Sequence, residues 1–312
     1  MPSDDPLCGS QSHSQGYFKS DLAACGMERV NGIPVRLLGG TGSSVTVIGI
    51  GGHTLGTLAD RGEAIRIVRA AIDEGVNFMD NAWCYHGGVS EEIMGSALKG
   101  GYRDRVFLMT KNHGRDAATF RRQLEESLGR LRTDFVDLVQ FHNIVREADP
   151  ERLVSGGALD AALDARAAGK VRFIGFTGHH WPHLFQRMLD SGFGWDTVQL
   201  PVNPLDAHFR SFTSAVLPLL VERNIGVIGM KVFSGGSIFE TGVSAGEAIS
   251  YSLSLPVSTL VLGIDSVRQL AENLEIIRSW SPLPDGERQR ILDRVAPWAG
   301  DGHLERYKMD PE

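Results

Sequence analysis

Eight short apolar runs, each followed by a polar or glycine-bearing stretch and then a segment of helical period, recur from residue 45 to residue 262. No other feature limits the fold so strongly. The runs occupy residues 45–50, 76–79, 106–109, 135–141, 171–176, 197–200, 226–230 and 259–262. Being apolar on both faces, they read as fully buried strands. The intervening segments carry stripes at helical spacing, such as Phe120, Leu124, Leu128 and Leu131, or Val267, Leu270, Leu274 and Ile277. Strands of this kind alternating with amphipathic helices imply an α/β protein with a parallel sheet covered by helices. Eight units within about 230 residues favour a closed (β/α)8 TIM barrel over an open doubly wound sheet.

Residues 27–312 therefore read as one barrel domain, with an N-terminal β-hairpin around residues 34–50 and an extra C-terminal helix over residues 286–298. Residues 1–26 are rich in Ser, Asp, Gly and Gln and read as a flexible tail. The short, charged end at residues 301–312 predicts a comparatively open pocket. A chain of 312 residues with 42% hydrophobic and 22% charged residues is ordinary for a soluble globular protein. Its net charge of -7 and lack of a Lys/Arg-rich block give no footprint for nucleic acid or an anionic membrane. No apolar stretch reaches the length of a membrane span and residues 1–26 lack the pattern of a secretory signal, so a cytoplasmic location is expected. The three cysteines form no CxxC pair, which argues against a disulfide framework or an iron–sulfur cluster.

In a barrel of this kind the residues that end the strands meet at one mouth. Here they are Gly52 and His53, Asp80, Lys111, His142, Thr177, Gln199, Lys231 and Gly263. Tyr85 follows Asp80 by one short loop. An acid, a phenol, an ammonium and an imidazole are what a carbonyl reductase needs to give a proton to oxygen while a cofactor gives hydride to carbon. Lys111 is expected to lower the pKa of Tyr85, Asp80 to neutralise Lys111, and His142 to donate to the substrate oxygen. A GxGxxG fingerprint is missing, so a nicotinamide cofactor would lie across the barrel loops. Trp83, Trp181 and Phe233 are candidates for lining the substrate pocket.

Asp80-Asn-Ala-Trp-Cys-Tyr85, Met109-Thr-Lys111, Asp137-Leu-Val-Gln-Phe-His142, Gly169-Lys-Val-Arg-Phe-Ile-Gly175, Val198-Gln199 with Asn203, and Gly263 followed by Gln269, Glu272 and Asn273 stand in an order and spacing that resemble the aldo-keto reductase family. The resemblance implies a tetrad of Asp80, Tyr85, Lys111 and His142, with Tyr85 as general acid in reduction and general base in oxidation. It implies a small carbonyl or alcohol substrate and an extended cofactor, NADP(H) ahead of NAD(H). Gln199 would hold the nicotinamide carboxamide, with Gly52, His53, Thr177, Gly178, His179, Met230 and Lys231 around it. Ser234, Gly235 and Gly236, with Gly263, Asp265, Ser266, Gln269, Glu272 and Asn273, would take the pyrophosphate and adenosine. The chain departs from the family pattern in having Thr177-Gly178 where Ser-Asn is usual and Met230 where an aromatic is common. Arg268 suits a 2'-phosphate whereas Asp265 opposes one.

Two other readings compete. A nicotinamide-binding regulatory protein could keep the barrel with little turnover. A metal-dependent barrel hydrolase could use His142, His179, His180 and His183, but that set lacks a carboxylate at ligand spacing, so no metal is expected.

Overall fold

The computed structural model describes residues 27–309. The tail assigned to residues 1–26 lies outside them. Three strands, β1 (Arg29–Val30), β2 (Ile33–Leu37) and β3 (Ser44–Thr46), form a small antiparallel sheet. Eight further strands close a parallel barrel: β4 (Ile48–Gly51), β5 (Phe78–Asp80), β6 (Phe107–Asn112), β7 (Val136–Phe141), β8 (Val171–Thr177), β9 (Thr197–Pro201), β10 (Gly226–Met230) and β11 (Thr259–Leu262). Each strand pairs with the next in sequence, and β11 returns to β4. The expected α/β (β/α)8 TIM barrel with an N-terminal hairpin is therefore the observed fold.

The principal helices between and after the barrel strands include Arg61–Asp73, Val89–Ala97, Ala117–Leu131, Ala158–Ala167, Pro182–Leu189, Leu217–Glu222, Ala245–Leu253 and Val267–Ser279. Several start at a side-chain cap. Asp60, Asp116, Ser244 and Ser266 each accept a backbone N–H from the first turn of the helix they precede, satisfying a donor that has no partner within the helix. Phe120, Leu124, Leu128 and Leu131 are all buried as their spacing predicts, whereas Val267 is exposed and Asn273 is buried on the last helix of the ring. The extra helix, Asp285–Ala299, packs outside the repeats near the turn Pro204–His208.

The run at residues 45–50 is not one strand. It divides at Val47: β3 pairs with the hairpin and β4 enters the barrel. Thr46 holds the junction, its hydroxyl donating to Ile48 O at 2.7 Å and its N–H to Asn77 Oδ1 at 2.8 Å. The division lets the hairpin cover the N-terminal end of the barrel. Leu38 and Val45 pack there against Phe78, Phe107, Met109, Leu138, Ile228 and Val261 as an apolar cluster separate from the larger core between strands and helices. Gly39 is required in this plug because its φ is +53° and a Cβ would lie 2.2 Å from the backbone nitrogen of Gly226.

Strand periodicity decides what lies above that cluster. Side chains two apart share a face, so Phe78 leads to Asp80 on β5, Phe107 and Met109 lead to Lys111 on β6, and Leu138 leads through Gln140 to the His142 position beyond β7. The barrel interior is thus apolar below and polar above. The polar layer begins where Gln140 Nε2 donates to Thr197 Oγ1 at 3.1 Å.

Candidate active site

Lys111 is 1% exposed, and an ammonium so buried needs all three donors occupied. It pairs with Asp80 Oδ1, donates to Asn81 O at 3.0 Å, and donates to the Tyr85 hydroxyl at 3.2 Å. The other oxygen of Asp80 accepts from Gln199 Nε2 at 3.2 Å. One carboxylate therefore ties the end of β5 to β6 and β9.

Tyr85 reaches Lys111 because the loop after Asp80 is pinned at several points. Trp83 N–H donates to Lys111 O at 3.0 Å, and Asn81 Nδ2 donates to Ser90 O at 3.0 Å. Arg130 donates to Trp83 O at 3.0 Å and pairs with the buried Glu91 at 3.3 Å. The following turn has positive φ at His86, Gly87 and Gly88, and a Cβ on Gly88 would meet the Arg130 guanidinium at 2.5 Å. His53 sets its ring edge-on to Tyr85 at 5.1 Å, and His142 lies at 6.1 Å on a perpendicular plane.

The electrostatics depart from the sequence expectation at one point. Burial pushes the Tyr85 phenol up to about 12, and Lys111, although adjacent, offsets only part of that rise. Tyr85 keeps a partly exposed edge, so it is the protein packed around its ring that dominates. Burial alone would lower Lys111, but Asp80 and Tyr85 reverse the shift and raise it. His142 is held well below the usual imidazole range, by burial first and then by the charge of Lys111 and by His113. A neutral phenol, a charged ammonium and a neutral imidazole follow at pH 7. His142 Nδ1 lies 3.1 Å from His113 Nε2, a neighbour that the sequence reading did not single out.

Of six buried side-chain atoms without a hydrogen-bond partner among the described residues, two suit a nicotinamide dinucleotide. Gln199 Oε1 sits beside the Asp80–Lys111 pair, where it could accept from a carboxamide N–H, and Asn273 Nδ2 sits on the helix after β11, where it could donate to the adenosine end. Gly235 and Gly236 have φ of +67° and +102° with open space where a Cβ would stand, leaving backbone accessible to a pyrophosphate.

Other predicted contacts are already engaged within the protein. Ser234 Oγ donates to Leu304 O at 2.5 Å, so its hydroxyl faces the C-terminal segment. Gln269 Oε1 accepts from Asp265 N–H at 2.8 Å, and its own N–H donates to Ser266 Oγ at 3.2 Å. Glu272 is exposed and pairs with Arg268 at 2.7 Å. Gly52 is buried at the start of the short helix Gly52–Leu55, and Gly263 follows β11 with Thr54 Oγ1 2.3 Å from where its Cβ would be. Thr177 ends β8, and Met230 ends β10 with a partly exposed side chain. At Gly178 a Cβ would meet Ile144 O at 2.7 Å and Asn143 Oδ1 at 3.1 Å, so Asn143 stands against the backbone where the family pattern has an asparagine.

The aromatic candidates diverge. Trp83 Nε1 donates to Glu126 at 2.6 Å, which draws its ring toward the helix Ala117–Leu131. Trp181 is 36% exposed with the Arg210 guanidinium 3.7 Å above it. Phe233 packs on Phe239 at 5.6 Å. The histidines do not gather as a metal hydrolase would need: His183 pairs with Glu147 at 2.6 Å on the surface, and His179 Nδ1 contacts Tyr307 O at 2.6 Å.

The C-terminal segment, read from its sequence as short and charged, docks on the barrel through its charged residues. Lys308 is completely buried, bonded to Asp206 at 2.7 Å, Glu305 at 3.0 Å and Phe209 O at 2.6 Å. Tyr307 accepts from Asn203 Nδ2 at 3.0 Å, donates to Glu305, and lies beneath Lys231 Nζ at 5.3 Å. Mutual neutralisation lets these charges enter the protein.

The sequence model of the Aldo/keto reductase family matches residues 47–247. L-galactose dehydrogenase of Arabidopsis thaliana is 28% identical, covering 84% of this chain and 93% of that protein. Aldo-keto reductase YhdN of Bacillus subtilis (strain 168) is 35% identical over 59% of this chain and 57% of its own. Among solved structures, the holo form of aldo-keto reductase AKR11C1 from Bacillus halodurans superposes with a TM-score of 0.74 at 23% identity, covering 88% of this chain and all of that one, a likeness of fold.

Proposed function

The chain belongs to the aldo/keto reductase family, and from that premise we propose that it transfers hydride reversibly between a nicotinamide cofactor and a carbonyl or alcohol substrate, with Tyr85 as the general acid and base. The observation that carries this reading is the Lys111 ammonium shared between Asp80 and the Tyr85 hydroxyl.

The bound cofactor supplies the hydride, and the protein supplies everything else. In reduction a new C–H bond forms at the carbonyl carbon while the Tyr85 O–H bond breaks and its proton passes to the carbonyl oxygen. An alkoxide is a far stronger base than a phenolate, so a phenol at about 12 still gives up its proton readily at that moment. Lys111 then stabilises the phenolate left behind, and Asp80 keeps Lys111 charged and in place. If His113 Nε2–H donates to His142 Nδ1, His142 keeps its proton on Nε2 and offers it to the substrate oxygen. Gln199 and Asn273 would hold the two ends of the cofactor, with the Gly235–Gly236 backbone between them. NADP(H) is proposed ahead of NAD(H) on the family resemblance, although Arg268 is committed to Glu272.

The likeness to L-galactose dehydrogenase extends over most of both chains, which makes aldoses the first alcohols to test. Purified protein should change the near-ultraviolet absorbance of the reduced nicotinamide when given an aldehyde panel with NADPH or an aldose panel with NADP+. Cofactor fluorescence that responds to binding, with no substrate-dependent rate across either panel, would instead identify a nicotinamide-binding regulatory protein.

A further inference from the structure

We infer that Cys84, His113 and His142 form a binding site for one divalent cation of the zinc class, and that its occupation suppresses turnover. The sulfur of Cys84 lies 3.8 Å from His142 Nδ1, His142 Nδ1 lies 3.1 Å from His113 Nε2, and all three ligand atoms fall within 4.8 Å of one another. An ion with Zn–N bonds of about 2.0 Å and a Zn–S bond of about 2.3 Å spans tetrahedral edges of about 3.3 Å between nitrogens and about 3.5 Å between nitrogen and sulfur. The protein already holds two of these edges near those lengths. The third closes by about 1.3 Å at most, a side-chain movement. Two imidazoles and a thiol are a donor set for zinc rather than for calcium or magnesium.

The set assembles from three loops that strand parity brings together. His113 follows β6, two positions after Lys111, His142 directly follows β7, and Cys84 directly precedes Tyr85. The ion would replace the contact between the two imidazoles, and Cys84 would lose its thiol proton to solvent on binding. Three protein donors leave a fourth position for water, the open arrangement of a site from which metal can be withdrawn by a chelator.

Inhibition follows from the position of Cys84 and rests on the reductase reading; binding does not. Drawing the Cys84 sulfur toward the imidazoles moves the residue bonded to Tyr85, whose hydroxyl must stay near Lys111, and fixes the His142 ring on the ion.

The test uses the full, tag-free chain titrated with Co2+ and Zn2+. Co2+ should produce one equivalent of a sulfur-to-cobalt charge-transfer band together with the intense visible absorption of a tetrahedral centre, and Zn2+ should abolish both. Cys84→Ser should eliminate the charge-transfer band, and His113→Ala should weaken binding by about tenfold or more. Unaltered far-ultraviolet circular dichroism in both variants keeps the comparison valid; where one misfolds, Cys84→Ala and His113→Asn replace it. Zn2+ should lower the carbonyl-dependent rate of wild type, EDTA should restore it, and Cys84→Ser should tolerate at least tenfold more Zn2+ relative to its own metal-free rate. A charge-transfer band that survives Cys84→Ser, or no tetrahedral cobalt spectrum in wild type, would overturn the site. An intact spectrum with no effect of Zn2+ on a measurable rate would overturn inhibition alone.

Discussion

The Lys111 ammonium stands 3.2 Å from the hydroxyl oxygen of Tyr85 while remaining paired with Asp80. Removing the cation leaves a phenolate with nothing to stabilise it and Asp80 buried without its partner. Lys111→Met should lower kcat for carbonyl reduction by about 10²- to 10⁴-fold. Cofactor affinity, read by fluorescence titration, should change far less. A variant that keeps the wild-type rate would dispose of the charge argument.

Tyr85→Phe removes the exchangeable proton and keeps the ring. The reductase rate should fall by about 10²-fold or more with cofactor binding nearly intact. Unchanged turnover would refute the role of the hydroxyl.

The direction of the Tyr85 shift gives a pH prediction. Reduction uses the protonated phenol, which stays fully populated through neutral pH and is lost only as pH rises through about 12. Oxidation uses the phenolate, which becomes scarcer as pH falls below that value. In the cofactor-free protein, the ultraviolet difference between wild type and Tyr85→Phe should show no phenolate from Tyr85 at pH about 10, where an ordinary tyrosine is half ionised. An appreciable phenolate signal there would mean that Lys111, not burial, governs the group.

Gln199 offers a buried oxygen without a partner beside Asp80. Gln199→Leu should weaken cofactor binding by about five- to tenfold, the worth of one hydrogen bond, measured as Kd by fluorescence. An unaltered Kd would place the carboxamide elsewhere.

Lys308→Met leaves Asp206 and Glu305 buried without their shared cation. The loss should be about 3–5 kcal/mol of stability in a urea melt, provided the segment stays docked. Release of the segment would instead appear as new protease cleavage within residues 302–309. A variant with neither change would show that the ionic cluster contributes nothing to holding the chain end.

The barrel was legible because the barrel strands are buried on both faces along most of their length and the longer helices on one, so the two periodicities remain distinct along the chain. Asp80, Lys111 and His142 were legible for a related reason: each ends an apolar run, and strand parity carries it into the mouth. The split at Val47 was hidden because residues 45–50 read as one run interrupted only by Thr46, whose side chain marks the change of partner. The dominance of burial over Lys111 at Tyr85 depends on how much protein surrounds the ring, which sequence does not state. Lys308 and Glu305 look like solvent-exposed charges until Asp206, about a hundred positions away, is known to be their neighbour. His113 left a trace in the sequence, two positions beyond Lys111, but nothing there indicates that its ring meets His142.

Among the described residues, the plug of Leu38 and Val45 closes the lower end of the barrel and leaves the C-terminal mouth as the way in. Whatever reacts inside must arrive and depart through the same rim. Under the proposed function, of two ligands stacked in that mouth the deeper would enter first and leave last, an order imposed by a hairpin far from any reacting atom.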